Sequence, residues 1–378
     1  MEGGRNRNIS ATTERNLWGI AAGRCEFEGC NKFLGNHQIT KSEGNFGEKA
    51  HIEAVSKGGA RYKALMSGAE LNSADNLMLL CPECHKLIDE NAELYPVSIL
   101  QKMKRKHEQR IYKLTEGDDI QKTLMLGYFA NIKDKTPVYD DALFCRAVVK
   151  AGKIPLEKYV TMIEGGNMPL NDGTKEYYLV EQAALKQARE KIIKPCIKNG
   201  ESISIFALAP MPLLIQLGTL ISDISNVMVF QCHREGERWS WKEENNCITY
   251  LVEAPVEKKK KVVALNISLS ANIVQERVDK VQDGIATYKI TIAEPNRYFV
   301  SSEKVADAFV CCFRNSIERI KKENPDIEKI MVFPAMPNSL AVRMGMDYMP
   351  KTDPILEIYD QIDSKRGFIQ TIKIGGNI

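Results

Sequence analysis

Cys25 and Cys30 form a CxxxxC pair, and Cys81 and Cys84 a CxxC pair. Four thiolates suffice for a closed tetrahedral site, so the spacing predicts a structural Zn²⁺ that staples a small irregular module. Such a site has no open position, and any catalytic ion must sit elsewhere. Around the second pair lie three further polar residues: His51 in Ala50-His51-Ile52, Asn76 in Asp75-Asn76-Leu77, and His85 directly after Cys84. Taken singly, a histidine is most often a hydrogen-bonded structural residue and an asparagine a turn or cap. Their joint order beside a cysteine knuckle is what makes them chemical candidates.

That order, with the knuckle pair just before the last histidine, resembles the HNH nuclease family and its ββα-metal fold over about residues 15–115. The resemblance implies metal-assisted hydrolysis of a phosphodiester. His51 would take a proton from the attacking water. His85 would hold Mg²⁺ or a similar divalent ion against the developing charge, and Asn76 would tie down the loop that aims His51. One position departs from the pattern. Many HNH enzymes carry an acidic metal ligand immediately before the first histidine, where this chain has Ala50. Mg²⁺ prefers oxygen ligands, and Asp89, four residues beyond His85 and so on the same helical face, is the first candidate, ahead of Glu48 and Asp75.

The helix expected over Val97–Thr115 carries Lys102, Lys104, Arg105, Lys106, Arg110 and Lys113 against Glu108. This density suits DNA phosphates read without regard to base, and Arg61 is a second candidate for that work. A solvated charged face is the bland alternative.

The elements that must position these residues occupy only part of the chain. At 378 residues it suits two or three domains, and 44% hydrophobic and 27% charged residues are ordinary for a globular protein. A net charge of +3 leaves nucleic-acid contact to local patches. The opening residues contain no apolar signal segment, and the apolar stretch 203–221 is broken by Pro210, Pro212, Gln216 and Gly218. A cytoplasmic protein without membrane attachment, its ten cysteines reduced, is the expectation.

Four of the five histidines fall within the first 110 residues. The reading is a zinc-bearing α+β HNH domain over 1–116, a linker over 117–140 opened by the polar run 116–119, and an α/β domain over 141–378. In the last, Val- and Ile-rich stretches at 202–209, 227–232, 262–270, 288–293 and 329–334 alternate with helical spacing at 176–194 and 303–323, as in a buried, largely parallel sheet. Residues 207–218 (ALAPMPLLIQLG) and 332–345 (VFPAMPNSLAVRMG) form a faint repeat: strand, Met-Pro turn, helix, glycine. With Met-Pro matched to Met-Pro, the second copy needs two extra residues. Two Rossmann-like halves are expected.

Ligands of open α/β sheets sit beyond the carboxyl ends of the strands. That rule selects Pro210, Met211, Gln231, Arg234, Ala335, Met336 and Pro337. Trp239 and Trp241, alternate in sequence, could form a stacking platform or a lid on the core. The segments FALAPMPLLIQLG, VFQCHREGERWSW, FPAMPNSLAVRMG and MPKTDP resemble the SAVED domain, which is related to two fused CARF-like halves. HNH joined to SAVED resembles the endonuclease effectors of CBASS, the bacterial anti-phage systems that signal through cyclic oligonucleotides. The resemblance implies a cyclic di- or trinucleotide held between the halves. It also implies a homo-oligomer, a dimer with higher assembly on activation, and degradation of double-stranded DNA with little sequence preference. Two other readings remain: a restriction-type HNH enzyme whose C-terminal domain recognises specific or modified DNA, and a non-catalytic zinc-knuckle DNA binder.

Overall fold

The computed structural model describes residues 9–37, 39–54, 61–62, 67–115, 121–132, 135, 137–165, 173–222, 226–233, 238–241, 247–363 and 367–376. The chain divides into two units, Met1–Ile120 and Gln121–Ile378.

The first unit contains α1 (Ala11–Ile20), β1 (Glu48–His51), α2 (Gly68–Leu71), β2 (Leu77–Leu80), α3 (Pro82–Glu90) and α4 (Val97–Thr115). Ser10 caps α1 by accepting from the Thr13 amide at 3.0 Å. Ser67 and Glu70 close a reciprocal capping box on α2, which is only four residues long. β1 and β2 pair antiparallel, with Ala50 opposite Met78 and His51 opposite Leu77. All four residues of β2 are buried, and they pack with Leu17, Ala50, Ile52, Ile88 and Leu100 into a small core. β1 thus carries His51, the turn leading into β2 carries Asn76, and α3 carries His85.

The second unit runs β3 (Lys122–Phe129), α5 (Asp141–Lys150), β4 (Ile154–Pro155), β5 (Thr161–Met162), α6 (Lys175–Ala188), α7 (Lys194–Lys198), β6 (Ser202–Leu208), α8 (Met211–Leu220) and β7 (Val227–Val229). It continues with β8 (Leu251–Glu253), β9 (Val262–Ser268), α9 (Gln275–Asp279), β10 (Thr287–Thr291), α10 (Glu303–Glu323), β11 (Lys329–Ala335), α11 (Asn338–Asp347), β12 (Ile355–Asp363) and β13 (Gly367–Ile374). The stretch 117–140, expected as a linker, contains β3. The polar run 116–119 that suggested a linker lies outside the described residues. β3 is a mostly buried strand at the heart of its sheet, and its apolar sequence LMLGYF is what a buried parallel strand requires.

Two sheets share one strand plan. The first is ordered β4-β3-β6-β7, all parallel, with β5 also pairing β3. The second is ordered β13-β12-β11-β9-β10-β8, in which β12, β11, β9 and β10 are parallel and β13 and β8 are antiparallel edges. With the two-residue β5 left out, the parallel strands of each half, numbered along the chain, lie in the order second, first, third, fourth. The Met-Pro turns follow the third strand each time, which bears out the duplicated Rossmann-like plan.

The structure also corrects the register of the repeat. β6 and β11 each have seven residues, α8 and α11 each ten, and Pro210 and Pro337 are their respective N-caps. Pro210 is thus the counterpart of Pro337, and no insertion is needed. The matching glycines, Gly218 and Gly345, lie where α8 crosses α11. A Cβ on Gly218 would overlap the carbonyl oxygen of Val342, and one on Gly345 that of Ile215. Only glycine lets the two helices meet backbone to backbone.

The apolar stretch 203–221 is accordingly a buried strand and a buried helix parted at Pro210. Among the described residues, no helix is long and apolar enough to cross a membrane. None of the ten cysteines is in a disulfide among the described residues. The MPKTDP segment is a latch: Arg314 of α10 donates to both oxygens of Asp353 at 3.0 and 2.9 Å and to Asp347 at 2.9 Å.

Candidate functional site

The four knuckle cysteines converge. Cys25 and Cys30 lie in the loop after α1, Cys81 is the N-cap of α3, and Cys84 is in its first turn. Their sulfurs all lie within 4.8 Å of one another, and Cys30 and Cys81 are 3.9 Å apart. A tetrahedron with Zn–S bonds of about 2.3 Å has edges of roughly 3.8 Å, so the donor set fits zinc. The Cys81 amide lies 3.3 Å from the Cys25 sulfur and would support its negative charge. Burial pushes the Cys25 thiol up to about 12 and raises that of Cys84 as well. Four thiolates packed this tightly need a cation to balance them, and a divalent ion held by these sulfurs would supply it.

His51 ends β1 with its Nε2 3.2 Å from Oδ1 of Asn72, the residue that closes α2. Asn76 touches the chain two residues further on. Its Oδ1 accepts from the Glu53 amide at 2.9 Å, and its Nδ2 donates to the Glu53 and Leu71 carbonyls at 3.1 and 3.0 Å. The buried Asn76 thus pins the strand just beyond His51, while Asn72 meets the ring itself. Asn72 carried no signal in the sequence, because a lone Asn near a short helix end reads as a cap.

His85, on α3, lies between two carboxylates. Its Nδ1 is 2.7 Å from Glu48 Oε2, and its Nε2 is 3.4 Å from Asp89 Oδ2. Glu48 is two residues before Ala50, on the same strand, and the buried Ala50 joins the core. Asp75 is exposed on the turn before β2. Nε2 and the Asp89 oxygen offer a divalent ion one nitrogen and one hard oxygen, while Glu48 meets the opposite ring nitrogen.

The basic candidates divide. Arg61, considered for phosphate contact, has a side chain only 5% exposed. It donates to the carbonyls of Ile52 at 3.0 Å and Ile88 at 2.8 Å, and to Asp89 Oδ1 at 3.0 Å. It is a brace linking the end of β1 to α3, and it orients Asp89. Lys104 is also buried, bonded to Glu108 at 2.5 Å and 3.9 Å from the buried Glu26. Both belong to the interior, because each side chain answers buried carbonyls or carboxylates. Lys106 pairs with Glu28 and Arg110 with Asn31. Lys102 and Arg105 remain exposed on α4.

In the second unit the strand-end prediction meets a packed interface. Gln231 is buried; its Oε1 accepts from the Ser339 hydroxyl at 2.6 Å and its Nε2 donates to the Cys232 carbonyl at 3.0 Å. Asn338 donates to the Ala207 carbonyl at 2.8 Å. The Ser339–Gln231 and Asn338–Ala207 bonds join one half to the other at the Met-Pro turns, so Gln231 is an interlock. Pro210, Met336 and Pro337 are buried, and Met211 and Ala335 half-buried, at the same junction. Arg234 lies outside the described residues. Trp239 is 4% exposed and packs edge-on against Phe129, Phe144 and Phe206, which makes it core rather than half of a stacking platform. Trp241 is half-buried, with the Arg343 guanidinium 5.5 Å over its ring. His233 bonds the Ser240 carbonyl at 2.8 Å and is structural.

A ββα unit with an adjoining four-thiolate site, in one chain with a duplicated Rossmann-like unit, defines a nuclease-type module fused to a ligand-sensing fold. Residues 33–92 match the HNH endonuclease family. Residues 185–374 match the SMODS-associated and fused to various effectors sensor domain, and the chain belongs to this SAVED family. Comparison with curated proteins finds no match. Among solved structures, the chain is similar to an Acinetobacter baumannii Cap4 SAVED/CARF-domain containing receptor with the cyclic trinucleotide 2'3'3'-cAAA (14% identity, TM-score 0.45, 81% of this chain and 64% of that one). The same receptor with 3'3'3'-cAAA gives 14% identity, a TM-score of 0.44 and coverage of 81% and 65%. A Moraxella osloensis Cap4 receptor gives 11%, 0.42, and 78% and 60%. The chain thus spans somewhat under two-thirds of the length of these receptors.

Proposed function

We propose that this protein is a DNA endonuclease, dependent on a divalent metal ion, that stays silent until its SAVED unit binds a cyclic di- or trinucleotide. It then degrades double-stranded DNA with little sequence preference, as part of an anti-phage response of the CBASS type that sacrifices the infected cell. The observation that carries this reading is the union in one chain of an HNH module and a SAVED sensor. The cytoplasm, where both DNA and second messenger are found, is the proposed location.

His51 is the proposed general base. With Asn72 accepting from Nε2–H, the Nδ1 lone pair is free to take a proton from water. Asn76 keeps the strand beyond His51 in place. His85 and Asp89 would hold the catalytic ion, such as Mg²⁺, with Glu48 fixing the His85 ring through Nδ1. That ion would neutralise charge on the phosphodiester and the leaving oxygen. Arg61 is a positioning residue acting through Asp89. Lys102 and Arg105 are the proposed phosphate contacts, joined by Lys106 if it leaves Glu28. A homo-oligomer, dimeric at rest and larger with ligand, would steepen the response.

The test is plasmid DNA incubated with the purified protein, Mg²⁺ and a panel of cyclic di- and trinucleotides, beside His51→Ala. Smeared degradation that requires both one cyclic nucleotide and His51 is the expected outcome. Discrete fragments formed without any small molecule would support the restriction-type reading instead.

A further inference from the structure

The loop that bears the first cysteine pair brings two arginines and an exposed aromatic ring together. Arg24 Nη1 donates to the Asn31 carbonyl at 3.2 Å, and Arg110 Nη2, from α4, donates to the Asn31 side-chain oxygen at 2.5 Å. The Arg24 guanidinium also lies 5.6 Å from the centre of the Phe33 ring, which belongs to the residue opposite it across a β-bridge. Phe33 is 45% exposed. The backbone makes room for this ring: a Cβ on Gly35 would come within 2.7 Å of it, and one on Gly23 within 3.1 Å.

Charge balance sets this corner apart. The other cations around it have partners: Lys32 pairs with Glu83, Lys106 with Glu28 and Lys104 with Glu108. Among the described residues, neither Arg24 nor Arg110 forms an ion pair. Burial and the Arg24 charge together disfavour the Arg110 cation. His107 adds no charge of its own. Its Nε2–H donates to the Ala21 carbonyl at 3.0 Å and its Nδ1 accepts from Arg110 at 3.1 Å, which leaves the ring neutral. Two guanidiniums held beside one asparagine, with no carboxylate between them, form a site that an anionic oxygen would complete.

The ring narrows the anion. A free phosphate has no use for an exposed phenyl group, and a duplex keeps its bases stacked inside. An unpaired strand offers both parts, a phosphodiester for the guanidiniums and a nucleobase for the aromatic. We propose that Arg24, Arg110 and Phe33 bind one nucleotide of an unpaired DNA strand, in addition to the contacts assigned to Lys102 and Arg105. This rests on the nuclease reading above. The site gives the module a hold on the frayed and nicked DNA that its own cleavage produces.

The test is fluorescence anisotropy of the full-length protein with a labelled mixed-sequence oligonucleotide, single-stranded or as its duplex. It is run without Mg²⁺ over a range of salt, with and without each cyclic di- and trinucleotide. Wild type is compared with Arg24→Gln/Arg110→Gln and with Phe33→Leu, with thermal transitions as the folding control. The double variant is expected to bind the single strand about tenfold or more weakly. It should also lose about 0.7 from the slope of log affinity against log salt, the value for one phosphate. Phe33→Leu is expected to weaken single-strand binding by about fivefold or more, with the slope unchanged and duplex binding within about twofold of wild type. Unchanged single-strand affinity in either folded variant, or equal losses on both DNAs in Phe33→Leu, overturns the site alone. If the double variant loses its thermal transition, Phe33→Leu decides by the same criterion. Failure of the wild type to bind either DNA in every condition overturns the nuclease reading and the site with it.

Discussion

The two units of this chain hold themselves together by different means. The nuclease module has few regular elements and a small core around β2, and it relies on point fasteners: four thiolates, the Asn76 bonds to Glu53, and the buried Arg61 brace. The SAVED unit has one large core spanning both sheets and crossing helices, and its polar bonds mainly interlock two similar halves. The first arrangement concentrates chemistry, since the groups that fasten the module stand beside those proposed to react. The second builds a rigid, quasi-symmetric frame in which unpaired polar groups can be tolerated because burial elsewhere is ample. A module stapled by a metal fails when the staple goes; a large apolar core fails by overpacking.

That contrast can be broken most forcefully at the four-cysteine cluster, whose proposed occupant is zinc. Structural zinc contributes on the order of 10–16 kcal/mol to folding, so a strong chelator, or Cys81→Ser, is expected to unfold the first unit while the second stays resistant to proteolysis. Loss of both units together would refute the contrast. Next in size is His51→Ala. It should lower ligand-stimulated cleavage by roughly 10²–10⁴-fold with the thermal transitions of both units unchanged. In the frame, Gly345→Ala forces a methyl onto the Ile215 carbonyl. It is expected to destabilise the second unit by about 1–3 kcal/mol or more, read from its denaturation midpoint, with the zinc module unaffected.

The smallest effect concerns Glu181, buried beneath Tyr128, whose hydroxyl donates to it at 2.8 Å. Burial raises its carboxyl above the ordinary 4.5, and the Tyr128 bond offsets only part of this. Below pH 4.5 the folded and unfolded chains both hold the proton and the group is neutral to stability. As pH rises the unfolded state ionises first, so the wild type loses stability until pH passes the folded value. Glu181→Gln is expected to match the wild type in acid and to exceed it slightly at neutral pH. A variant that is less stable at neutral pH would contradict this.

Legibility in the sequence followed the same division. The convergence of Cys25, Cys30, Cys81 and Cys84 and the HNH resemblance were readable, because metal ligation and proton transfer admit few residue types. The helices Val97–Thr115 and Glu303–Glu323 were readable from apolar periodicity. β3 was hidden, because a polar run before it suggested a linker and a single strand between loops has no partner visible in sequence. Arg61 and Lys104 looked like phosphate contacts because charge is visible in a sequence and burial is not. Gln231 was named for the complementary reason, since proximity to strand ends says where ligands bind but not which side chains fill the junction between halves. Trp239, left open between a stacking platform and a lid on the core, is decided for the core by its burial. Asn72 was missed, since its role depends wholly on where α2 ends relative to the His51 ring.

In the proposed function, occupancy of the SAVED unit switches on the HNH module. The most direct measurement is the initial rate of plasmid cleavage by the wild-type protein in Mg²⁺, with and without each cyclic di- and trinucleotide. A rate near background without ligand, rising by about two orders of magnitude or more with one of them, is the expected result, since a full two-state switch requires a differential affinity of roughly 10⁴. Rapid cleavage of equal rate in every condition would contradict it.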